Sequence, residues 1–201
     1  KVMKKPILKK HLNHGLNINC EVIDMKKCLL VIDYQHDFVD GTLGFPKAKT
    51  LSHGIEELIK EYHQEQHDVI FTYDTHDQGY LDTQEGRKLP IVHCQKGSHG
   101  HELYSPVNHL VQSDDQRYEK CTFGSLDLAQ DLKKKDYDVI EIVGLVTNMC
   151  VISHAVLAKA ACPEAEIIIH DQLCASFDDH LHDQAIDVMR SMQMTIKGDK
   201  V

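Results

Sequence analysis

The chain has 201 residues, 42% of them hydrophobic and 26% charged, which is the usual composition of a single soluble globular domain. Acidic residues outnumber basic ones, 31 to 22, and the net charge of −9 argues against a basic surface that binds nucleic acid. Since no apolar run approaches the ~20 residues that a membrane-spanning helix needs, we expect neither nucleic acid nor a membrane as a partner.

The beginning of the chain and its cysteines bear on location and domain organisation. Residues 1–24 are basic at the front and irregular in pattern, and they lack the apolar core of a signal peptide. We therefore expect an extension over 1–24 that lies outside the core, followed by a single domain over 25–201. The seven cysteines form no CxxC pair, and their odd number predicts reduced thiols and a cytoplasmic location.

From Cys28 onward, apolar runs of the β type alternate with helical patterns. Strands are predicted over 28–33, 68–74, 117–120, 138–145, 166–171 and 194–197. Helices are predicted over about 47–66, 126–135, 148–161 and 179–192. Between the second and third strands, residues 75–116 form a polar stretch with little periodicity, which is typical of a functional or a disordered loop.

This alternation of strands and helices predicts βαβ crossovers. We expect a three-layer α/β/α fold with a mainly parallel, doubly wound sheet. Ligands of such sheets bind beyond the carboxyl ends of the strands. Asp33, Asp74 and Lys120 end the first three predicted strands, and Cys150 follows the fourth. A thiol, an amine and carboxylates on one rim predict a nucleophilic site.

Cys150 has the strongest individual case, because it lies in the first turn of a helix that follows a strand. The helix dipole and a nearby lysine would favour its thiolate, although a buried cysteine that packs helix against sheet explains the position equally well. Asp33 fits either a general base or a turn cap, and Asp37 fits a structural acid better. Lys120 taken alone is typical of solvated surface.

A second cluster follows the second strand. Asp74 and His76, with Glu85 and His93 further along the chain, form a donor set that suits Zn²⁺, Fe²⁺ or Mn²⁺. Asp82 competes with Glu85 for one position, and the Asp-x-His spacing is also common by chance in a chain with 15 histidines.

The motifs LLVIDYQHDF, YDTH, LPIVHCQKG, YEKCTFGS and IVGLVTNMCV, in this order, resemble those of the isochorismatase-like cysteine hydrolases, which include nicotinamidases and related amidases. The resemblance covers about residues 26–197. It implies a catalytic triad of Asp33, Lys120 and Cys150. It also implies a cis peptide between Leu145 and Val146, which would aim the N–H of Val146, together with that of Cys150, at an oxyanion.

The resemblance further implies one divalent transition metal (Zn, Fe or Mn) and no organic cofactor. The implied metal ligands are Asp74, His76 and His93, with Glu85 as the closer match to the variable remaining ligand. Family members are commonly homo-oligomers, so a dimer or tetramer is expected. Phe38 is predicted to wall the substrate pocket, although an aromatic residue at this position is also compatible with a place in the core.

Two features depart from the nicotinamidase pattern. A large aromatic residue usually precedes the last metal-site histidine, whereas this chain reads LPIV over 89–92 and has no Trp. Arg87 and Lys88 lie nearby and would suit an acidic substrate. We predict a cysteine-dependent, nicotinamidase-like hydrolase that cleaves a small amide through a thioester. The alternatives are a metal-free amidase that acts on a ureido or carbamoyl compound, isochorismatase activity, and an inactive binding protein.

Overall fold

The computed structural model describes residues 25–198, and the predicted extension over 1–24 lies outside this range. The strands are β1 (Lys27–Ile32), β2 (Asp68–Asp74), β3 (Gln116–Lys120), β4 (Val139–Leu145), β5 (Glu166–Ala175) and β6 (Thr195–Lys197). They form one sheet in the order β3-β2-β1-β4-β5-β6, and all five neighbouring pairs are parallel. The predicted parallel, doubly wound sheet is confirmed.

Helices connect these strands on both faces of the sheet. Within residues 25–198 they are α1 (His36–Val39), α2 (Pro46–Thr50), α3 (Ser52–Gln64), α4 (Gln84–Lys88), α5 (Ser105–Asn108), α6 (Leu126–Lys135), α7 (Ile152–Ala161) and α8 (Asp179–Ser191). A π-helical turn, Thr147–Val151, precedes α7. Over the same residues, we find no helix with both the length and the apolar character needed to cross a membrane.

The core consists of two apolar layers, one on each face of the sheet. Leu30 and Ile32 of β1 face the layer under α6, α7 and α8, while Leu29 and Val31 face the layer under α1, α2, α3 and α5. Because β1 is buried on both faces, its sequence is a continuous apolar run rather than an alternating one. The two layers confirm the predicted α/β/α architecture.

Several elements differ in extent from the prediction. The helix expected over 47–66 is divided into α2 and α3 at Leu51, which keeps right-handed helical dihedral angles and is buried. Strand β5 continues to Ala175 instead of ending near 171. The polar stretch over 75–116 contains α4, α5 and two 3₁₀ turns, Tyr80–Asp82 and His99–His101. These short helices lack the length at which sequence periodicity becomes recognisable.

The strand order reverses between β1 and β4, and a glycine allows these two strands to approach closely. Gly144 of β4 has φ +116°, and a Cβ atom there would lie 2.1 Å from the carbonyl oxygen of Ile32. Only glycine fits this position. Ligands of doubly wound sheets bind at such a reversal point, beyond the carboxyl ends of the strands.

Candidate active site

Four of the residues singled out in the sequence meet at the carboxyl ends of neighbouring strands. Asp33 follows β1, Asp74 ends β2, Lys120 ends β3, and Cys150 lies in the π-helical turn after β4. All four are buried. The Nζ atom of Lys120 lies 2.7 Å from Oδ2 of Asp33, 3.5 Å from Oδ1 of Asp74 and 3.7 Å from Sγ of Cys150. The ammonium group therefore joins both carboxylates to the thiol.

Asp33 is held in place by its neighbour on β2. It has φ +44°, in the left-handed region, which Asp tolerates better than most residues. The hydroxyl of Thr72 donates to Oδ1 of Asp33 at 2.7 Å, and the backbone N–H of Asp33 donates to Oγ1 of Thr72 at 3.1 Å. Thr72 was not among the residues predicted from the sequence, although a polar residue inside the buried run DVIFTYD was a signal.

Burial and charge set the protonation of the thiol and the amine. Burial raises the pKa of Cys150, the charge of Asp33 raises it further, and Lys120 lowers it only in part. Burial alone would lower the pKa of Lys120, but Asp33, Cys150 and Asp74 outweigh it and raise that pKa. The expectation of a lowered thiol pKa is therefore wrong, because burial outweighs the nearby lysine. The resting site holds a thiol beside an ammonium–carboxylate pair.

The backbone around Cys150 has two special features. The peptide bond between Leu145 and Val146 is cis. The carbonyl oxygen of Val146 then accepts hydrogen bonds from the N–H groups of Met149, at 3.0 Å, and Val151, at 3.2 Å. The second bond spans five residues and defines the π-helical turn, a conformation that is frequent at functional sites.

A group of potential metal ligands adjoins the thiol. One ligand atom from each of Asp74, His76 and His93 lies within 4.8 Å of the others. The Nε2 atoms of His76 and His93 are 3.0 and 3.3 Å from Oδ2 of Asp74, and Oε1 of Glu85 is 4.0 Å from Nε2 of His76. Bonds from the two histidines hold the pKa of Asp74 below its usual range, although burial opposes this.

This donor set fits a transition metal. Nδ1 of His93 donates to the carbonyl oxygen of Ile91 at 2.7 Å, which directs Nε2 toward Asp74. Such an outer hydrogen bond is typical of metal-ligating histidines. Two imidazoles and carboxylate oxygens suit Zn²⁺, Fe²⁺ or Mn²⁺. Asp82, the competitor of Glu85, is exposed, whereas Glu85 lines the cavity next to Asp74.

Gln35 and Asp37 fix the loops that carry these ligands. The side-chain amide of Gln35 donates to the carbonyl of Asp74 and accepts from its N–H, at 2.9 and 2.8 Å. Oδ2 of Asp37 accepts the N–H of Cys94, the residue after His93, at 2.7 Å. Asp37 thus has the structural contacts expected of it. Gln35 was missed, although it lies between the two acidic residues of DYQHDF.

A cavity of about 250 Å³ lies above the thiol. Cys150, Val146, Asp74, Glu85 and His93 line one part of it. The remaining wall is apolar and consists of Phe38, Leu43, Leu89, Phe123, Met149 and Phe177. Of these wall residues, only Phe38 was predicted from the sequence, because the others are brought to the cavity from separate segments by the tertiary fold.

Comparison with known proteins identifies the family. The model of the isochorismatase domain matches residues 27–197. The chain is a member of the isochorismatase family. It is 31% identical over 174 residues to the uncharacterized isochorismatase family protein PncA of Bacillus subtilis, with 81% of this chain and 93% of that protein covered. It is 26% identical to the nicotinamidase of Saccharomyces cerevisiae, with 66% and 81% covered.

Solved structures of this family share the fold. The crystal structure of nicotinamidase/pyrazinamidase PncA from Bacillus subtilis matches with a TM-score of 0.76 and 28% identity, over 86% of this chain and 99% of that one. The pyrazinamidase of Pyrococcus horikoshii, solved in complex with zinc, matches with a TM-score of 0.75 and 21% identity over 85% and 98%. The predicted family and fold are confirmed, as is a hydrolase that acts on amide C–N bonds.

One expectation about this family member needs correction. Arg87 and Lys88 were expected to suit an acidic substrate, but both side chains are exposed on α4 and lie outside the cavity wall. Of this helix, only Glu85 lines the cavity. They provide no positive charge for a substrate there.

Proposed function

We propose that this chain is a cysteine-dependent amidase that hydrolyses a small, uncharged, flat amide through a thioester on Cys150. The observation that carries the proposal is the position of Lys120, whose ammonium contacts both the carboxylate of Asp33 and the sulfur of Cys150 beneath the cavity. A nucleophile, a base and a cation in mutual contact form the arrangement needed for covalent catalysis.

The first half of the reaction forms the thioester. Asp33 accepts the thiol proton, and Sγ of Cys150 attacks the amide carbonyl. The backbone N–H groups of Val146 and Cys150 hold the oxyanion that develops. Lys120 stabilises the thiolate and the carboxylate of Asp33 through its charge. Asp33 returns the proton to the leaving nitrogen, and ammonia departs.

The second half releases the acid. Asp33, ionised again, accepts a proton from a water molecule, and the resulting hydroxide attacks the thioester carbonyl. The same two N–H groups hold the second oxyanion. The C–S bond then breaks, the carboxylic acid leaves, and the proton on Asp33 restores the thiol. The net reaction consumes one amide and one water and yields one carboxylic acid and one ammonia.

Asp74, His76 and His93 would hold one divalent transition metal, with Glu85 as the nearest further carboxylate. When bound, the metal would hold a ring nitrogen of the substrate or polarise water. Asp74 also contacts Lys120, so the candidate metal ligands and the candidate triad share one charged network. A substrate nitrogen held at this cluster would lie in the same cavity as the thiol.

The cavity wall supports an aromatic, uncharged substrate. Phe38, Phe123 and Phe177 present aromatic side chains to the cavity, although the segment over 89–92 has none. The aromatic contact that nicotinamidases usually make from that segment can therefore come from other loops. Flat rings pack well against such side chains. Lys120, whose ammonium lies next to the thiol, already forms ion pairs with Asp33 and Asp74. It therefore offers no free positive charge to an acidic substrate.

A substrate panel tests the proposal. We expect ammonia release from nicotinamide or pyrazinamide, and none from a ureido acid such as N-carbamoylglycine. Metal analysis of protein purified without chelator should find about one transition-metal ion per chain. Turnover of the ureido acid alone, without metal, would favour the metal-free amidase instead. The absence of ammonia from every amide would favour isochorismatase activity or an inactive binding protein. A cytoplasmic location and a dimeric or tetrameric assembly stay predictions.

A further inference from the structure

A hydrogen-bonded series of three side chains ends at the turn that contains Cys150. Oγ1 of Thr147 lies 2.8 Å from Nδ1 of His182, and Nε2 of His182 lies 2.9 Å from Oδ1 of Asp171. Thr147 begins the π-helical turn that contains Cys150, while His182 belongs to α8 and Asp171 to β5. Neither the triad nor the candidate metal ligands include any of these residues.

The directions of these hydrogen bonds follow from the acid at the end of the series. An ionised carboxylate only accepts hydrogen bonds. The N–H at Nε2 of His182 therefore donates a hydrogen bond to Oδ1 of Asp171. Nδ1 of the neutral ring is then an acceptor, and the hydroxyl of Thr147 donates to it. Asp171 thus selects the tautomer that can bind Thr147.

The fold is shaped locally to bring Asp171 to this position. Between the pairs Ile142–Ile169 and Gly144–Cys174, one residue of β4 lies opposite four residues of β5, so β5 contains three extra residues there. Asp171 lies in this irregular stretch, and its carboxylate contacts His182 of α8. Bulges are over-represented next to active sites, where they can redirect a side chain.

Burial makes the hydrogen-bonded pair of Thr147 and His182 rigid. Thr147 is 0% exposed and His182 is 5% exposed. Both ring nitrogens of His182 and the hydroxyl of Thr147 have partners, and a buried pair that is fully hydrogen-bonded holds a single geometry, while the side chain of Asp171 at the outer end is 27% exposed. Because Thr147 directly follows Val146, fixing its side chain also fixes the backbone that directs the N–H groups of this turn.

We propose that Thr147, His182 and Asp171 are positioning residues that orient the oxyanion-binding N–H groups of the cysteine turn. The inference rests on the proposed function, because it assigns those N–H groups a role in amide hydrolysis. The three residues touch neither the substrate nor the thiol. Their effect should therefore appear only in steps that place negative charge on a carbonyl oxygen.

Two reagents for Cys150 separate these steps. Pyridine-3-carbaldehyde adds to the thiol and forms a thiohemiacetal, whose oxygen needs the oriented N–H groups. Methyl methanethiosulfonate transfers its CH₃S group to the thiolate, forming a disulfide and releasing methanesulfinate, so no oxyanion develops on carbon. Modification of Cys150 is followed by mass spectrometry of its peptide, which separates it from the exposed Cys121.

The test compares Thr147→Val with Thr147→Ser in the full chain. In Thr147→Val, we expect kcat and the affinity for the aldehyde to fall about tenfold or more, because misdirected N–H groups lose part of the stabilisation of the oxyanion. KM and the rate of thiosulfonate modification should stay within twofold of wild type. Thr147→Ser keeps the hydroxyl and should restore both kcat and aldehyde affinity.

A second variant covers the case in which Thr147→Val fails to fold. His182→Gln should show the same selective loss, whereas His63→Gln should not, although His63 makes a similar bond to Asp115 at 2.9 Å. Equal losses with both reagents, or wild-type aldehyde affinity in both Thr147→Val and His182→Gln, would overturn the inference alone. A wild-type protein that binds no aldehyde and hydrolyses no amide would overturn the proposed function as well.

Discussion

The ammonium of Lys120 lies 2.7 Å from the carboxylate of Asp33, and both side chains are buried, at 7% and 0% residue exposure. Removing one member of a buried ion pair leaves the other charge uncompensated. Loss of one partner should therefore destabilise the fold as well as stop the proposed chemistry, and the two effects can be separated experimentally.

Lys120→Met should lower the free energy of unfolding by about 3–5 kcal/mol, because Asp33 would be left charged without its partner. Chemical denaturation followed by circular dichroism measures this loss. The double variant Asp33→Asn/Lys120→Met should recover a large part of the stability and none of the activity. If the double variant is no more stable than Lys120→Met, the pair is not the source of the loss.

The stability provided by Lys120 should also depend on pH. Folding raises the pKa of this lysine above its unfolded value of about 10.4. Its contribution is therefore complete below that pH and is lost only as the pH rises through the folded value. Denaturation curves of wild type and Lys120→Met should differ by a constant amount from pH 8 to 10. A difference that shrinks within this range would contradict the raised pKa.

Cys150→Ala should abolish amide hydrolysis, with a loss in kcat of about 10⁴-fold or more, since the attacking atom is removed. Cys162→Ala is the matched control, because Cys162 is also buried but lies at the end of α7, in the apolar core. It should retain wild-type kcat. Ammonia release under saturating substrate measures both. Hydrolysis that survives in Cys150→Ala rules out the thioester.

Removal of a candidate metal ligand should release the ion. We expect His93→Ala to lose the bound transition metal and to become insensitive to added Zn²⁺ in thermal unfolding, whereas His99→Ala, an exposed histidine, keeps both properties. Elemental analysis measures the bound metal, and Tm with and without Zn²⁺ measures the response to added metal. Equal metal content in the two variants would argue against Asp74, His76 and His93 as the ligand set.

Phe177→Ala should weaken substrate binding more than it slows the chemistry. Loss of one aromatic contact costs about 0.5–1.5 kcal/mol, so we expect KM to rise up to about tenfold with little change in kcat. Leu181→Ala is the control, because Leu181 is similarly exposed on α8 but does not line the cavity. An unchanged KM in Phe177→Ala would remove this residue from the substrate site.

The sequence predicted the parts of this site that depend on strand ends. Asp33 follows an apolar strand, Lys120 ends a short polar one and Cys150 follows another apolar strand, and the parallel sheet brings such strand ends to one rim. It could not predict the pKa of Cys150, because burial depends on the loops that cover the cavity. It also gave no sign of the bond between Thr147 and His182, because that bond depends on the packing of α8 against the cysteine turn.

The raised pKa of Cys150 has a consequence for the durability of the protein. Peroxides and disulfides attack thiolates, and susceptibility follows thiolate character and exposure. A protonated thiol at 5% exposure should be oxidised slowly, whereas Cys121 lies exposed beside Lys120 and should be oxidised first. Because its nucleophile is buried, this protein should withstand oxidative conditions that inactivate hydrolases with an exposed catalytic cysteine.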